Sequence, residues 1–402
     1  MKIAVIGYGH RMAEVARNLK RACAETEIVA VCDPARETVR AVMEKDGLLL
    51  PDCRFYEDSE ALLAAEKPDG VMVGTRCSLH ARLGAQVLRR GLPLFLEKPI
   101  ATRVEDAKLL WQAYCAGGRP PVVVSFPLRV TSIARFAREV LDSGRLGELS
   151  QVQAVNNVPY GQGYFQRWYR DERETGGLFL QKATHDIDVV NLLLNQRPVK
   201  VCAMTSKQIF RGSEPAGMRC DACPKADICT ESPANLKRFF QEERRDLGCC
   251  FATDTGNEDS GSAIIRYESG LHCVYSQNFV VRKQAACRKI RVIGYRGTME
   301  FDWYTGQLRV LMHDSGIAQT VDFNGGDAGH WGGDRCLTES FADCVRKGAP
   351  SVSPLEAGMD SVLTCLAARQ SGAREAFRPV ENFRAWYAPR PQKTRNWAPR
   401  RS

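Results

Sequence analysis

The first 33 residues constrain this chain more than any other stretch. Lys2 to Ile6 reads as a short apolar strand, Gly7-Tyr8-Gly9 follows at once, and apolar groups then recur at helical spacing (Ala13, Val15, Ala16, Leu19, Ala22). A second apolar run, Ile28 to Cys32, ends in Asp33. This order predicts a β-α-β unit, which sets a helix N-terminus against a pyrophosphate and a carboxylate against a ribose. Gly7 and Gly9 let a backbone approach phosphate, with His10, Arg11 and Met12 in the first helical turn. Met12 stands where the fingerprint has its third small residue, so helix and strand must pack around a larger side chain. Asp33 predicts hydrogen bonds from the adenosine ribose and favours NAD over NADP, since a carboxylate repels a 2′-phosphate; Arg36 works against that preference. Asp33-Pro34 is also a sound helix start, and the two roles are compatible.

Short apolar strands and helix-length segments keep alternating to about residue 125. Val71 to Gly74, Leu92 to Leu96 and Pro121 to Ser125 are strands, with helical patterns over 35–45, 59–65, 79–90 and 103–116. Repeated units of this kind predict a parallel, doubly wound sheet with ligands beyond the carboxyl ends of the strands. Gly7, Gly9, Asp33, Thr75 and Lys98 then share one edge. After a helix over 131–143 the pattern turns to successive strands (149–156, 199–208, 261–267, 271–279, 287–293, 298–302, 307–313), which suits an open, mostly antiparallel sheet. Helices return at 335–347 and 355–371, placed to pack back on the first sheet. The expected division is a Rossmann domain over 1–125, an α+β domain over 126–380 with a cysteine-rich insertion near 211–252, and a basic tail over 381–402.

Composition narrows the partners. At 402 residues, 44% hydrophobic and 26% charged, the chain suits a globular protein of two domains. No apolar stretch approaches the roughly 18 residues that span a bilayer, and a strand from residue 2 leaves no space for a signal peptide, so a cytoplasmic protein is expected. Much of the net charge of +9 sits in the last 30 residues, and no basic run is interleaved with aromatics, which argues against nucleic acid.

Glu97-Lys98-Pro99 at a strand end, the glycine turn, Asp33, and Thr75 with His80 together resemble the Gfo/Idh/MocA oxidoreductases. Ser143-Gly144-Arg145-Leu146-Gly147, Gly176-Gly177 followed by His185 and Asp188, and His330-Trp331-Gly332-Gly333-Asp334 extend the resemblance to about residue 380. It implies a two-domain NAD-dependent enzyme, a homodimer or homotetramer, with Glu97, Thr75 and His80 beside the cofactor and a cis peptide before Pro99. It also implies that Lys98 positions a substrate hydroxyl and that His185 is the acid/base for its proton. Members acting on sugars and inositol carry Asp four residues before that histidine. Here the position is Gln181, with Lys182 beside it, which shifts the proton role to His185 with Lys98 or Lys182 assisting. Arg129, Tyr164, Trp168, Arg170, Gln181 and Asp188 are the expected substrate residues, since aromatics suit sugar faces and arginines suit carboxylates.

Sixteen cysteines include Cys220, Cys223 and Cys229, with Cys249-Cys250 twenty residues on. Cys220, Cys223, Cys229 and Cys250 predict a structural zinc, against disulfides or free thiols. The activity expected is hydride transfer between NAD(P) and a secondary alcohol of a sugar, cyclitol or sugar derivative. Two rivals remain: glycoside cleavage through transient sugar oxidation and elimination, and a non-enzymatic cofactor-binding protein.

Overall fold

The structure, a computed structural model, describes residues 1–240, 247–323 and 330–386. Its first sheet has six parallel strands: β1 (Lys2–Ile6), β2 (Glu27–Cys32), β3 (Arg54–Tyr56), β4 (Gly70–Val73), β5 (Leu94–Leu96) and β6 (Val122–Val124). They lie in the order β3-β2-β1-β4-β5-β6, so the direction of winding reverses at β1. Strands β4, β5 and β6 are buried at every residue, as expected when helices cover both faces of a parallel sheet.

The second sheet has nine strands: β7 (Leu149–Asn157), β8 (Pro198–Ser206), β9 (Ser260–Tyr267), β10 (His272–Asn278), β11 (Cys287–Gly294), β12 (Gly297–Asp302), β13 (Gln307–Met312), β14 (Ala318–Asp322) and β15 (Arg378–Pro379). Their order is β14-β13-β12-β11-β7-β10-β9-β8-β15, and only β7 and β10 run parallel. Burial alternates strictly along β9 and β11. The inner face packs on the helices Ala183–Leu194 and Leu355–Arg374. The outer face leaves Met204, Ile264 and Val274 exposed on three adjacent strands.

The helix Gly333–Lys347 returns to the first sheet, where Leu337 and Phe341 join Ile3, Val5 and Met12 in one core. The carboxyl ends of the parallel strands thus meet the start of Ala183–Leu194 and the inner face of β7 and β11. Of the insertion expected over 211–252, residues 241–246 lie outside the described residues, as do 387–402 of the expected tail. Among the described residues no helix is long and apolar enough to cross a membrane.

Candidate active site

The glycine turn is built by close packing on one side and open space on the other. Gly7 has φ of +81°, and a Cβ there would meet Thr75 Cγ2 at 2.5 Å. A Cβ on Gly9 would have nothing within 4 Å. The protein itself therefore does not demand glycine at 9; a ligand lying against that backbone would. Gly9 precedes the helix His10–Ala22, whose first turn has neither a side-chain cap nor an acidic residue, so its N–H groups stay available to an anion. Met12 is fully buried, and it fits because the partner strand end is Gly74, where a Cβ would meet Met12 Cε at 2.4 Å. The small residue missing from the helix stands across from it.

Asp33 uses both oxygens locally, accepting from Tyr8 N (2.7 Å) and Ala35 N (2.8 Å). It joins the glycine turn to the end of β2 and closes the turn before the next helix, Arg36–Lys45, whose N-cap is Ala35 and not Asp33 as the Asp33-Pro34 pair suggests, while its remaining lone pairs stay free for a ribose. Arg36 is exposed and lies over the Phe55 ring at 5.5 Å. These features fit an adenine dinucleotide.

Two expected cofactor residues are otherwise engaged. The Arg11 guanidinium donates to Asp334 Oδ1 and Oδ2 (2.5 and 2.8 Å), Glu97 Oε1 (3.1 Å), Glu14 Oε2 (3.2 Å) and Ser125 Oγ (3.3 Å). Burial would raise the Asp334 carboxyl, but Arg11 and His330 hold it well below the usual range. Arg11 ties the glycine turn to the end of β5 and to the returning helix Gly333–Lys347 rather than standing free for a phosphate. His80 is buried between two carbonyls, Pro99 O (2.8 Å) and Thr75 O (3.2 Å), and pins the two strand-end turns. His10 is exposed at the helix start.

At the end of β5 the Lys98–Pro99 peptide is cis. Lys98 Nζ donates to Gln181 O at 2.9 Å. Burial, with Lys182 adding, pushes the Lys98 ammonium down to about 7. Gln181 Oε1 is buried without a partner. Lys182 Nζ donates to Tyr160 Oη at 2.6 Å and lies over that ring at 4.7 Å. His185 is buried, edge-on to Phe126 (5.8 Å) and 6.3 Å from the His330 ring. Its Nδ1 has no hydrogen-bond partner. Burial, then Lys98, Arg288, Lys182 and His330, hold it well below its ordinary value, so the imidazole is neutral. The chain thus brings Lys98, Lys182 and His185 together.

Other expected residues are placed differently. Asp188 and Arg129 meet each other as an ion pair (2.6 Å), and burial still pushes Asp188 up to about 7 against the arginine. Arg170 turns to Asp254 (2.5 Å) and Cys249 O (3.2 Å), so it anchors the insertion rather than a substrate. Tyr164 packs among Tyr169, Phe279 and Tyr160. Trp168 stacks on Tyr169 at 3.9 Å with Arg76 over its ring at 4.0 Å.

Sequence reasoning passed over Tyr160, Asp186, Arg288 and the part played by His330. Arg288 Nε donates to Asp186 Oδ1 at 2.6 Å, and Asp186 Oδ2 accepts from Asn156 (2.8 Å) and Tyr275 (3.0 Å). The β7–β11 register sets Arg288 opposite Asn156, so both reach the same helix. One signal was available: Arg288 shares the inward phase of its strand with Ile290 and Val292, where a charge needs a reason.

The zinc expectation is corrected. Cys220 has Cys249, Cys229 and Cys223 near enough to raise its thiol, which burial chiefly pushes up to about 11. Cys250 also lies near Cys249, Cys229 and Cys220, but it packs in an apolar cluster with Val158, Phe165, Leu178, Phe210 and Phe279. Among the described residues no group of three or more His, Cys, Asp or Glu side chains is arranged to hold a metal, and all sixteen cysteines are free.

A doubly wound sheet with an open glycine turn, beside a lysine and a neutral histidine, defines an NAD-binding oxidoreductase of the Rossmann type. The chain belongs to the GFO/IDH/MocA family: the model described as "Oxidoreductase family, NAD-binding Rossmann fold" matches residues 1–124, and the GFO/IDH/MocA C-terminal domain matches residues 134–300. It is 24% identical over 360 residues to YteT of Bacillus subtilis strain 168, covering 80% of this chain and 83% of that protein. It is 29% identical over 209 residues to inositol 2-dehydrogenase 2 of Saccharopolyspora erythraea, covering 52% of this chain and 58% of the relative. A levoglucosan dehydrogenase, solved with NADH and levoglucosan, shares the fold with a TM-score of 0.75 at 15% identity, over 95% of this chain and all of that one.

Proposed function

We propose that this chain is an NAD(P)-dependent dehydrogenase of a secondary alcohol on a sugar, cyclitol or sugar derivative, with residues 1–125 holding the nucleotide and 126–380 the substrate. One observation carries the reading: Lys98, from the first sheet, reaches the Gln181 carbonyl at the very turn that presents His185. Two chain segments 83 residues apart thus deliver a cation and a neutral base to one place.

Bound nicotinamide accepts or donates the hydride. The residues of this chain orient the alcohol and move its proton. Lys98 donates a hydrogen bond to the carbinol oxygen and stabilises charge as it develops there. His185, neutral because it is buried among cations, accepts the hydroxyl proton. Asp33 favours NAD over NADP, by repelling a 2′-phosphate. The exposed Met204, Ile264 and Val274 support self-association through the outer face of the second sheet, as a homodimer or homotetramer.

The test is NADH formation against a panel of polyols, aldoses and sugar acids, paired with nucleotide binding to the wild type and to Gly9→Ala. Turnover with at least one member, and weaker nucleotide binding by the variant, is expected. Tight nucleotide binding with no turnover of any member would remove the dehydrogenase reading.

A further inference from the structure

Charge at the site is unbalanced. Lys182 stands close enough to disfavour the Lys98 ammonium, yet neither lysine forms an ion pair among the described residues. Lys98 meets a carbonyl and Lys182 meets a phenol. Arg288 is the third cation. It is 3% exposed, Asp186 takes its Nε, and its Nη2 is buried with no hydrogen-bond partner. An unpaired donor on a buried guanidinium is costly unless something answers it.

Among the described residues the acids nearby are all committed. Glu97 is bonded to Arg11 and Ser125, Asp334 to Arg11 and His330, Asp186 to Arg288, Asn156 and Tyr275, and Asp188 to Arg129. At the position where sugar-oxidising relatives were expected to carry a carboxylate, this chain has Gln181, whose buried Oε1 is itself unpartnered. Tyr160 shows what the space lacks. Tyr160 is 42% exposed as a residue, but its oxygen takes the Lys182 hydrogen bond, and Lys182 and Arg288 hold the phenol below its ordinary value against the desolvation at that end. A phenol is standing in as the acceptor for surplus positive charge. Oxidised nicotinamide, when bound, would add a further positive charge.

We infer that the substrate of this site is an anionic sugar derivative, whose carboxylate or phosphate is taken up by Lys182 and the free Nη2 of Arg288 while its carbinol lies at Lys98 and His185. This rests on the dehydrogenase reading and narrows it. The anion supplies the negative charge that no acid among the described residues has free to give, and a neutral polyol leaves both cations unanswered.

The test compares steady-state turnover of a hexuronate, a hexose 6-phosphate, the parent hexose and myo-inositol by the NAD-saturated full chain, for wild type and Lys182→Met. The wild type is expected to show kcat/KM for one of the anionic sugars about 10–100-fold above that for the parent hexose, on the scale of a charge-assisted hydrogen bond. Lys182→Met is expected to remove most of that ratio through KM, and urea unfolding shows whether the variant still folds. The better anionic arm tells carboxylate from phosphate. As a readout independent of turnover, the preferred anion is expected to compete with a tyrosine-phenolate absorbance change on titration, because it displaces the Tyr160 oxygen from Lys182. A wild type that oxidises the neutral sugars as well as or better than both anions overturns the inference and leaves the dehydrogenase standing. No turnover in any arm, despite bound nucleotide, overturns both.

Discussion

Replacing Lys98 by methionine is expected to make the protein more stable and nearly inactive. In the folded chain the ammonium is pushed from 10.5 to about 7, by burial first and then by Lys182. The unfolded chain therefore binds more protons between pH 7 and 10.5, and stability rises with pH across that window. At pH 7 holding this lysine in place costs roughly 4 kcal/mol in the fully desolvated limit, and about half that when the partly open side chain is allowed its remaining water. Methionine keeps the stem and removes the charge. Urea unfolding of nucleotide-free protein at pH 7 and pH 9 reads the effect directly. The variant is expected to gain about 2 kcal/mol at pH 7, with the gain shrinking by about half at pH 9, because the wild type is by then partly relieved. NADH formation should fall by about 100-fold or more, on the scale of a lost proton-transfer or oxyanion partner. A variant no more stable than wild type at pH 7, with the same dependence of stability on pH, would show that Lys98 is not the strained cation argued above.

Four further changes probe other parts of the molecule. Gly9→Ala should leave urea stability within about 0.5 kcal/mol, since its Cβ would point into open space at an ordinary φ, while nucleotide binding measured by fluorescence titration weakens. Gly74→Ala should cost about 1–3 kcal/mol by overpacking Met12, and Met12→Ala in the same chain should recover much of it, read by thermal unfolding. Asp334→Asn should destabilise by about 3–5 kcal/mol in urea, because the Arg11 charge loses its bidentate partner in a largely buried place. Ile264→Asp, on the outer face of the second sheet, should lower the mass seen by light scattering if that face joins subunits, with folding unchanged.

The parallel sheet was legible because its strands are short apolar runs set between helical periods, and each expected strand of 1–125 forms. The second sheet was legible as a set of strands but not as an order: nothing in the local pattern of β7 and β10 says that they pair in parallel. At the site, Lys98 and His185 could be read from motif position. The fates of Arg11, Asp188 and Arg170 could not, because each meets a partner tens to hundreds of residues away, and local sequence carries no trace of that pairing. Met12 is instructive. Its departure from the fingerprint was visible, but its compensation lies on a separate strand, at Gly74. Arg288 was overlooked for the reverse reason: the strand pattern held it in plain view, among apolar residues, with no motif to draw the eye. The cysteines show the limit of spacing arguments, since thiols can lie near one another without being arranged to hold a metal.

Arg11 has a consequence for how the site is held together. One guanidinium, on the first turn after the glycine loop, is gripped by the end of β5 and by the opening of a helix that begins more than 300 residues later. The same aspartate that grips it also holds His330, whose ring faces His185. The turn that carries Gly9 and the neighbourhood of His185 are thus linked through one aspartate, Asp334, which bonds Arg11 on one side and His330 on the other. On the proposed function, the relative placing of nucleotide and base would then be a property of the fold itself.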